Sequence, residues 1–292
     1  MISNARFISG IFYFFLGVFV NLQMIRSTIL ILFSSFTLNV VTLSNDVLND
    51  SIYMKKMTIE IWSDIVCPFC YIGKTRFDEA LKTFEHRDQV EVIWRSFLLN
   101  PDQKTDTTIS IHQYLVDSKG WTLPHAKEVG KQVTEMAAES GLSFHFDSVI
   151  VASSVKAHQL MHLGNKHNLA SQLKTLLFRA YFTEGKNIDD KAVLSSLATE
   201  VGLPSDAVSE VLSTDKYLVE VNKDIALAQQ MGVRGVPFFV YLGKYVVNGA
   251  QDTETFKRAL NRGWEEFIES NPEQKKIVLK DGVICAPDGK CD

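Results

Sequence analysis

The chain has 292 residues, 46% of them hydrophobic, and a formal net charge of −4 from 30 basic and 34 acidic side chains. That is enough apolar material for a sizeable core, while the mild acidity gives no electrostatic footprint for a nucleic acid or an anionic membrane surface. Four cysteines in two close pairs, Cys67/Cys70 and Cys285/Cys291, are too few for a disulfide-stapled scaffold of this length and suit local redox partners or metal ligands instead.

The first 45 residues carry only two charged side chains, Arg6 and Arg26. Ile8 to Val20 is a nearly pure apolar run, and Thr28 to Leu43 is a second, broken by Ser34, Ser35, Thr37 and Asn39. Neither reaches the roughly 18–20 apolar residues that span a bilayer. Three readings compete: a signal or membrane anchor, a buried helix, or a translated stretch upstream of the true start. The last is preferred, because Met54 and Met57 directly precede the first strand signal and no small-x-small cleavage site follows the apolar runs. Initiation at Met54 or Met57 implies a cytoplasmic protein; a real apolar leader implies anchoring or export.

Ile59, Ile61 and Trp62 form a strand-like run that ends at Ser63-Asp64. Cys67-Pro68-Phe69-Cys70 follows, and then Phe77, Ala80, Leu81 and Phe84 at the spacing of one helix face. Pro68 suits a first helical position, where no backbone N–H is needed. Val90, Val92 and Trp94 alternate as a second strand that stops near Asn100-Pro101. From about residue 109 to 231 the pattern is helical. Apolar stripes fall at Val129/Val133/Met136/Ala137, at Leu173/Leu176/Leu177/Ala180/Tyr181 and at Leu194/Leu197/Ala198/Val201. Asp189 is the expected N-cap of the last of these, and Gly202-Leu203-Pro204 its stop. Strand character returns at Pro237–Leu242, turns at Gly243-Lys244 and resumes at Tyr245–Asn248, a hairpin. A final amphipathic helix from about Asp252 to Ile268 carries Phe256, Leu260 and Trp264.

This order, β-α-β, helices, β-β-α, predicts an α/β thioredoxin-like fold with an all-helical domain inserted between its halves. The expected boundaries are 1–57 for the apolar extension, 58–108 and 232–270 for the thioredoxin-like domain, 109–231 for the insertion and 271–292 for a tail with the second cysteine pair.

A C-x-x-C pair spaces its sulfurs by one helical turn, within disulfide reach. Only a thiolate attacks a disulfide, and the N-terminus of a helix favours an anion. Cys67 at that terminus is therefore the expected nucleophile and Cys70 the resolving thiol, with Pro68 and Phe69 beside the attacked sulfur. Alone, C-x-x-C fits a structural or metal pair as well; after a strand and opening a helix, it favours redox chemistry. Gly235-Val236-Pro237 precedes the returning strand, where Pro237 reads either as a cis proline packed on the active-site sulfurs or as a trans proline opening an edge strand.

Ser63-Asp64-Ile65-Val66-Cys67-Pro68-Phe69-Cys70-Tyr71-Ile72-Gly73-Lys74, the segment from Trp94 to Pro101, Ala180-Tyr181-Phe182-Thr183-Glu184-Gly185, Gly232–Phe239 and Asn248-Gly249-Ala250-Gln251 together resemble the FrnE-type branch of the DsbA family over about Thr58 to Arg262. The resemblance implies dithiol–disulfide exchange with protein or small-molecule thiols, a thioredoxin fold with a helical insertion, and Val236-Pro237 as the cis-proline element. Phe69 stands where that family often has Trp. Pro68 and Phe69 neither carry charge nor donate a side-chain hydrogen bond to a thiolate, so an intermediate potential is expected rather than that of a strong oxidant such as DsbA. Glutathione-dependent isomerases and transferases of the same superfamily are the alternative, but they typically place Ser at the position of Cys67 and lack the second cysteine. No cofactor beyond the cysteine pair is expected; glutathione is a candidate co-substrate.

In the tail, Ala286-Pro287-Asp288-Gly289 is a turn signal that folds Cys285 and Cys291 toward each other. They read as a second redox pair exchanging with Cys67/Cys70, or as an inert staple. Zinc held by all four cysteines is the rival of a different class, although the distance between the pairs in sequence weighs against it and no metal ligand is assigned. His158 and His162 have metal-compatible spacing without a third ligand, and His162 and His167 are expected at the insertion surface. Asp64 is read either as a buried proton acceptor or as an ordinary strand-end cap.

Overall fold

The computed structural model describes residues 55–272, together with the backbone of 279–280 and 283–284. Strands β1 (Met57–Ser63) and β2 (Val90–Ser96) pair in parallel. A parallel pair needs a crossover, and helix α1 (Pro68–Lys82) supplies it. Met57 thus already belongs to the folded domain, with its side chain buried. Strand β5 (Phe238–Tyr241) lies antiparallel on the other side of β1, and β6 (Tyr245–Asn248) completes a four-stranded sheet in the order β2-β1-β5-β6. The connection between β5 and β6 puts Leu242 and Gly243 at φ 54° and 68°, the left-handed region in which glycine carries no Cβ penalty.

The sheet is covered on both faces. Ile59, Ile61 and Phe239 point into the main core with Phe77 of α1 and with Phe256 and Leu260 of the last helix. Trp62 and Val240, at alternating positions on the same strands, point the other way into a smaller cluster with Ala228 and Val233. Period-two alternation between two buried faces is why the strands read as nearly continuous apolar runs.

Between β2 and β5 the chain forms α2 (Ile111–Lys119), α3 (Leu123–Glu139), α4 (Val155–Lys166), α5 (Ala170–Phe182), α6 (Lys191–Glu200), α7 (Ser205–Ser213) and α8 (Leu218–Gln230). The insertion is helical except for a short antiparallel ladder of β3 (Asp106–Ser110) and β4 (Ile150–Val151). Asp190, not Asp189, caps α6: its carboxylate accepts the N–H groups of Ala192 and Val193 at 2.8 and 3.0 Å. Asp189 instead accepts from Lys156 at 2.7 Å and from Thr105 at 2.7 Å, clipping α4 to the chain before β3. The tertiary partners of Asp189 decide between two adjacent aspartates that local sequence leaves equivalent.

Two sets of contacts hold the insertion to the sheet half. Tyr71 of α1 stacks on Phe178 of α5, with centroids 4.9 Å apart, and on Phe144 at 5.6 Å; Phe144 in turn stacks on Phe182 at 4.8 Å. Such pairs contribute about 0.5–1.5 kcal/mol each beyond their burial. Behind the sheet, buried Asp224 of α8 binds Arg95 at 3.1 Å, the Ser96 N–H at 2.8 Å and His162 of α4 at 3.2 Å. His162 is therefore largely buried and engaged, contrary to the surface position expected for it, whereas His167 is exposed.

Helix α9 (Thr253–Ser270) starts at Asp252, whose carboxylate accepts the Thr255 N–H at 2.7 Å, and it packs along α1. Beyond it, Leu279 pairs with Ile284 and Lys280 with Val283 in a two-residue ladder of β7 (Leu279–Lys280) and β8 (Val283–Ile284). Cys285, Cys291 and the two apolar N-terminal runs lie outside the described residues. No helix among the described residues is long and apolar enough to cross a membrane.

Candidate active site

β1 delivers the chain to a turn in which the Cys67 N–H donates to the Asp64 carbonyl at 3.2 Å. Cys67 has extended backbone (φ −94°, ψ 113°) at the N-cap of α1, and Pro68 is the first helical residue. The Cys70 N–H donates to the Cys67 carbonyl at 3.1 Å, one turn in. Cys67 and Cys70 are unbonded and buried, at 3% and 1% exposure. Phe69 between them is 39% exposed. The two cysteines thus differ little in exposure, and the accessible group at the site is the phenyl ring.

The Val236-Pro237 bond is cis, the form the family resemblance implied. The Val236 carbonyl accepts from the Cys67 Sγ at 3.5 Å. Gly73, one turn beyond Phe69 on α1, makes the close approach possible: a Cβ there would lie 2.9 Å from the Pro237 Cγ and 3.4 Å from the Ala250 Cα. The Asn248–Gln251 segment braces the same loop, for the Gly249 N–H donates to the Pro237 carbonyl at 2.9 Å and Arg76 donates to the Ala250 carbonyl at 3.0 Å. Sequence reasoning treated these as family motifs; the fold shows that they pack on one another.

Beneath the cysteines lies a buried polar cluster drawn from both halves. Asp64, 1% exposed, accepts the Leu99 N–H at 2.8 Å and bonds the His158 Nε2 at 3.2 Å. Burial opposes its ionisation, but the hydrogen bond and charge of His158, with the hydrogen bonds of Leu99 and Ser154, together outweigh burial and hold the carboxyl below its ordinary range. Burial conversely pushes the His158 imidazole down, against the pull of Asp64. Asp64 thus fills the strand-end acceptor role of the two readings offered by sequence, taking the Leu99 N–H. Its negative charge, after the Cys70 hydrogen bond and burial, helps push the Cys67 thiol well above its usual range. The favourable field of the helix N-terminus is thus opposed at Cys67 by burial and by the neighbouring thiol.

Lys174 of α5, 1% exposed, approaches from the other side; its Nζ donates to the Ser63 carbonyl at 3.5 Å. Sequence spacing pairs His158 with His162 rather than with Asp64, and assigns Lys174 no role. The available signal was Lys174 itself, a lysine one turn before Phe178 and two turns before Tyr181 on a helix face that is otherwise apolar.

A family model described as the DSBA-like thioredoxin domain matches residues 58–261. The chain is similar to a probable DsbA oxidoreductase from Streptomyces coelicolor, at 36% identity and a TM-score of 0.66, over 81% of this chain and 98% of that one. It is 29% identical over 208 residues to the uncharacterized protein YwbO of Bacillus subtilis (strain 168), covering 70% of this chain and 95% of that protein. A putative protein disulfide isomerase from Nitrosomonas europaea shares the fold, with a TM-score of 0.56 at 14% identity over 73% of this chain and 99% of that one. A sheet of the order β2-β1-β5-β6, a C-x-x-C helix facing a cis-proline loop, and a family match over more than half of the chain agree: this protein belongs to the DSBA-like thioredoxin domain family.

Proposed function

We propose that this protein exchanges disulfides with thiol substrates through Cys67 and Cys70. The Cys67 thiolate attacks a substrate disulfide, forming a mixed disulfide and releasing one substrate thiolate. Cys70 then attacks the Cys67 sulfur, forming the Cys67–Cys70 disulfide and releasing the second; the pair loses two electrons and the substrate gains them. The reverse sequence oxidises a dithiol. The observation that carries this reading is the placement of the two cysteines at the N-terminus of α1, with the Cys67 Sγ 3.5 Å from the Val236 carbonyl. In this reading Pro68, exposed Phe69 and Val236 form the contact surface for substrate, and Pro237 closes the site from the side of Gly73. Two cysteines favour redox exchange over glutathione-dependent isomerisation, in which a single hydroxyl or thiol suffices.

Insulin reduction with dithiothreitol or glutathione as the electron source tests it. Cys67→Ser is expected to fall to background, and Cys70→Ser to accumulate a mixed disulfide that is released slowly. A Cys67→Ser protein with the wild-type rate would sink the assignment.

A further inference from the structure

Lys174 is the least satisfied buried charge at this site. Its ammonium has one long hydrogen bond, to the Ser63 carbonyl at 3.5 Å, and lies over the rings of Trp94 at 5.5 Å and Phe178 at 5.3 Å. It forms no ion pair among the described residues, and the neighbouring charges of opposite and like sign are already engaged: Asp64 with His158, Lys74 with Asp78. An ammonium held in an apolar environment without a partner is costly, and mere packing of α5 would be served as well by Met or Leu.

The surroundings of Lys174 identify the anion it can serve. Lys174 is one turn from Phe178, which stacks on Tyr71, the residue after Cys70. Lys74, one turn beyond Cys70, shares the Trp94 ring with it at 5.7 Å. Lys174 therefore sits between the end of β1 and the Cys70–Lys74 turn of α1. The charged and titratable groups facing it are Cys70, Asp64 and Cys67, which favour its protonated form, and Lys74 and His158, which oppose it. Burial is the largest influence and brings its pKa down to about 8, so at neutral pH it is chiefly cationic. With Asp64 bound to His158, the sulfurs are the remaining acceptors of its charge.

We propose that Lys174, from the helical insertion, is the positioning counter-charge for the thiolate of the Cys67/Cys70 pair, acting most strongly on Cys70. This rests on the exchange reading above and adds how the resolving step is driven. Resolution requires Cys70 to lose its proton to solvent and attack the Cys67 sulfur of the mixed disulfide. The Cys67–Cys70 bond forms, the bond from Cys67 to the substrate sulfur breaks, and the electron pair leaves with the substrate thiolate. A fixed positive charge beside Cys70 stabilises the anion before the attack and opposes the Asp64 charge that disfavours it. It also stabilises the reduced dithiol relative to the disulfide, which raises the reduction potential.

The test is to titrate thiolate absorbance against pH in the reduced full chain for wild type, Lys174→Met and Lys174→Arg, with the glutathione equilibrium measured on each. Lys174→Met is expected to cut the thiolate fraction at neutral pH by about tenfold and to shift the equilibrium toward the disulfide form. Lys174→Arg restores the thiolate. The difference narrows at alkaline pH, where Lys174 loses its charge. In single-cysteine backgrounds, Lys174→Met shifts the thiol of Cys67→Ser more than that of Cys70→Ser. Superimposable titrations of wild type and Lys174→Met, both folded, would overturn the proposal and leave Lys174 a packing residue. Because the titration needs no substrate, a wild-type protein that fails to reduce insulin but shows the Lys174 effect discards the function reading alone.

Discussion

The sheet half and the helical insertion contribute differently to the site. The first supplies geometry: β1 and α1 place Cys67 and Cys70, and the β5 entry brings Val236 and Pro237 against them through the gap left at Gly73. The second supplies charge: His158 of α4 binds Asp64, and Lys174 of α5 reaches the Ser63 carbonyl at the end of β1. The thiols are placed by short-range structure, in which a turn, a helix start and one proline suffice. The polar side chains that the insertion adds around them lie roughly a hundred positions away in sequence, and approach only because aromatic stacking and the Asp224 cluster dock the insertion onto α1 and β2. A thioredoxin-type frame can thus keep its chemistry while the inserted helices tune it.

The comparison breaks most decisively where the two halves are joined. Asp224→Ala removes the acceptor shared by Arg95, His162 and the Ser96 N–H and is expected to cost about 3–5 kcal/mol in chemical denaturation. A loss below about 1 kcal/mol would show that the aromatic contacts alone carry the docking.

Charge from the insertion should come at the expense of stability. Lys174 has its pKa lowered from 10.5 to about 8 by burial, a fall that corresponds to about 3 kcal/mol of destabilisation at neutral pH. For this group the unfolded chain binds the proton more tightly, so the cost is full below pH 8 and vanishes above the unfolded value. Lys174→Met is accordingly expected to raise stability at pH 7 by about 2–3 kcal/mol while it lowers the thiolate fraction. A variant that is destabilised instead would mean that the ammonium is satisfied by the aromatic rings.

The smallest effect concerns His158. Its pKa is lowered by burial, so the unfolded chain binds the proton more readily once pH falls below about 6.5. Asp64, also lowered, adds its loss only near and below its ordinary value of 3.8. Wild-type stability should therefore decline from about pH 6.5 downward, by about 1.4 kcal/mol for each unit of the imidazole shift. His158→Gln, which keeps a donor for Asp64, should flatten the upper part of that decline. An unchanged slope between pH 6.5 and 4.5 would assign the acid sensitivity to other groups.

Local pattern determined much of this protein. Alternation at Ile59, Ile61 and Trp62, the stripe through Phe77 and Ala80, and the hairpin at Gly243-Lys244 fixed the β-α-β and β-β-α halves, because these depend on neighbours two to four residues apart. The C-x-x-C motif after a strand placed two thiols at a helix start for the same reason. Tertiary structure decided what sequence spacing does not encode. It chose Asp190 over Asp189 as a cap, buried His162 against Asp224 and bound Asp64 to His158. It also buried Lys174, a lysine among leucines and phenylalanines, against the end of β1 and the Trp94 and Phe178 rings. Each of these is a contact between residues far apart in the chain, governed by burial and charge once the insertion has docked, and a linear pattern carries no record of which distant side chain will arrive.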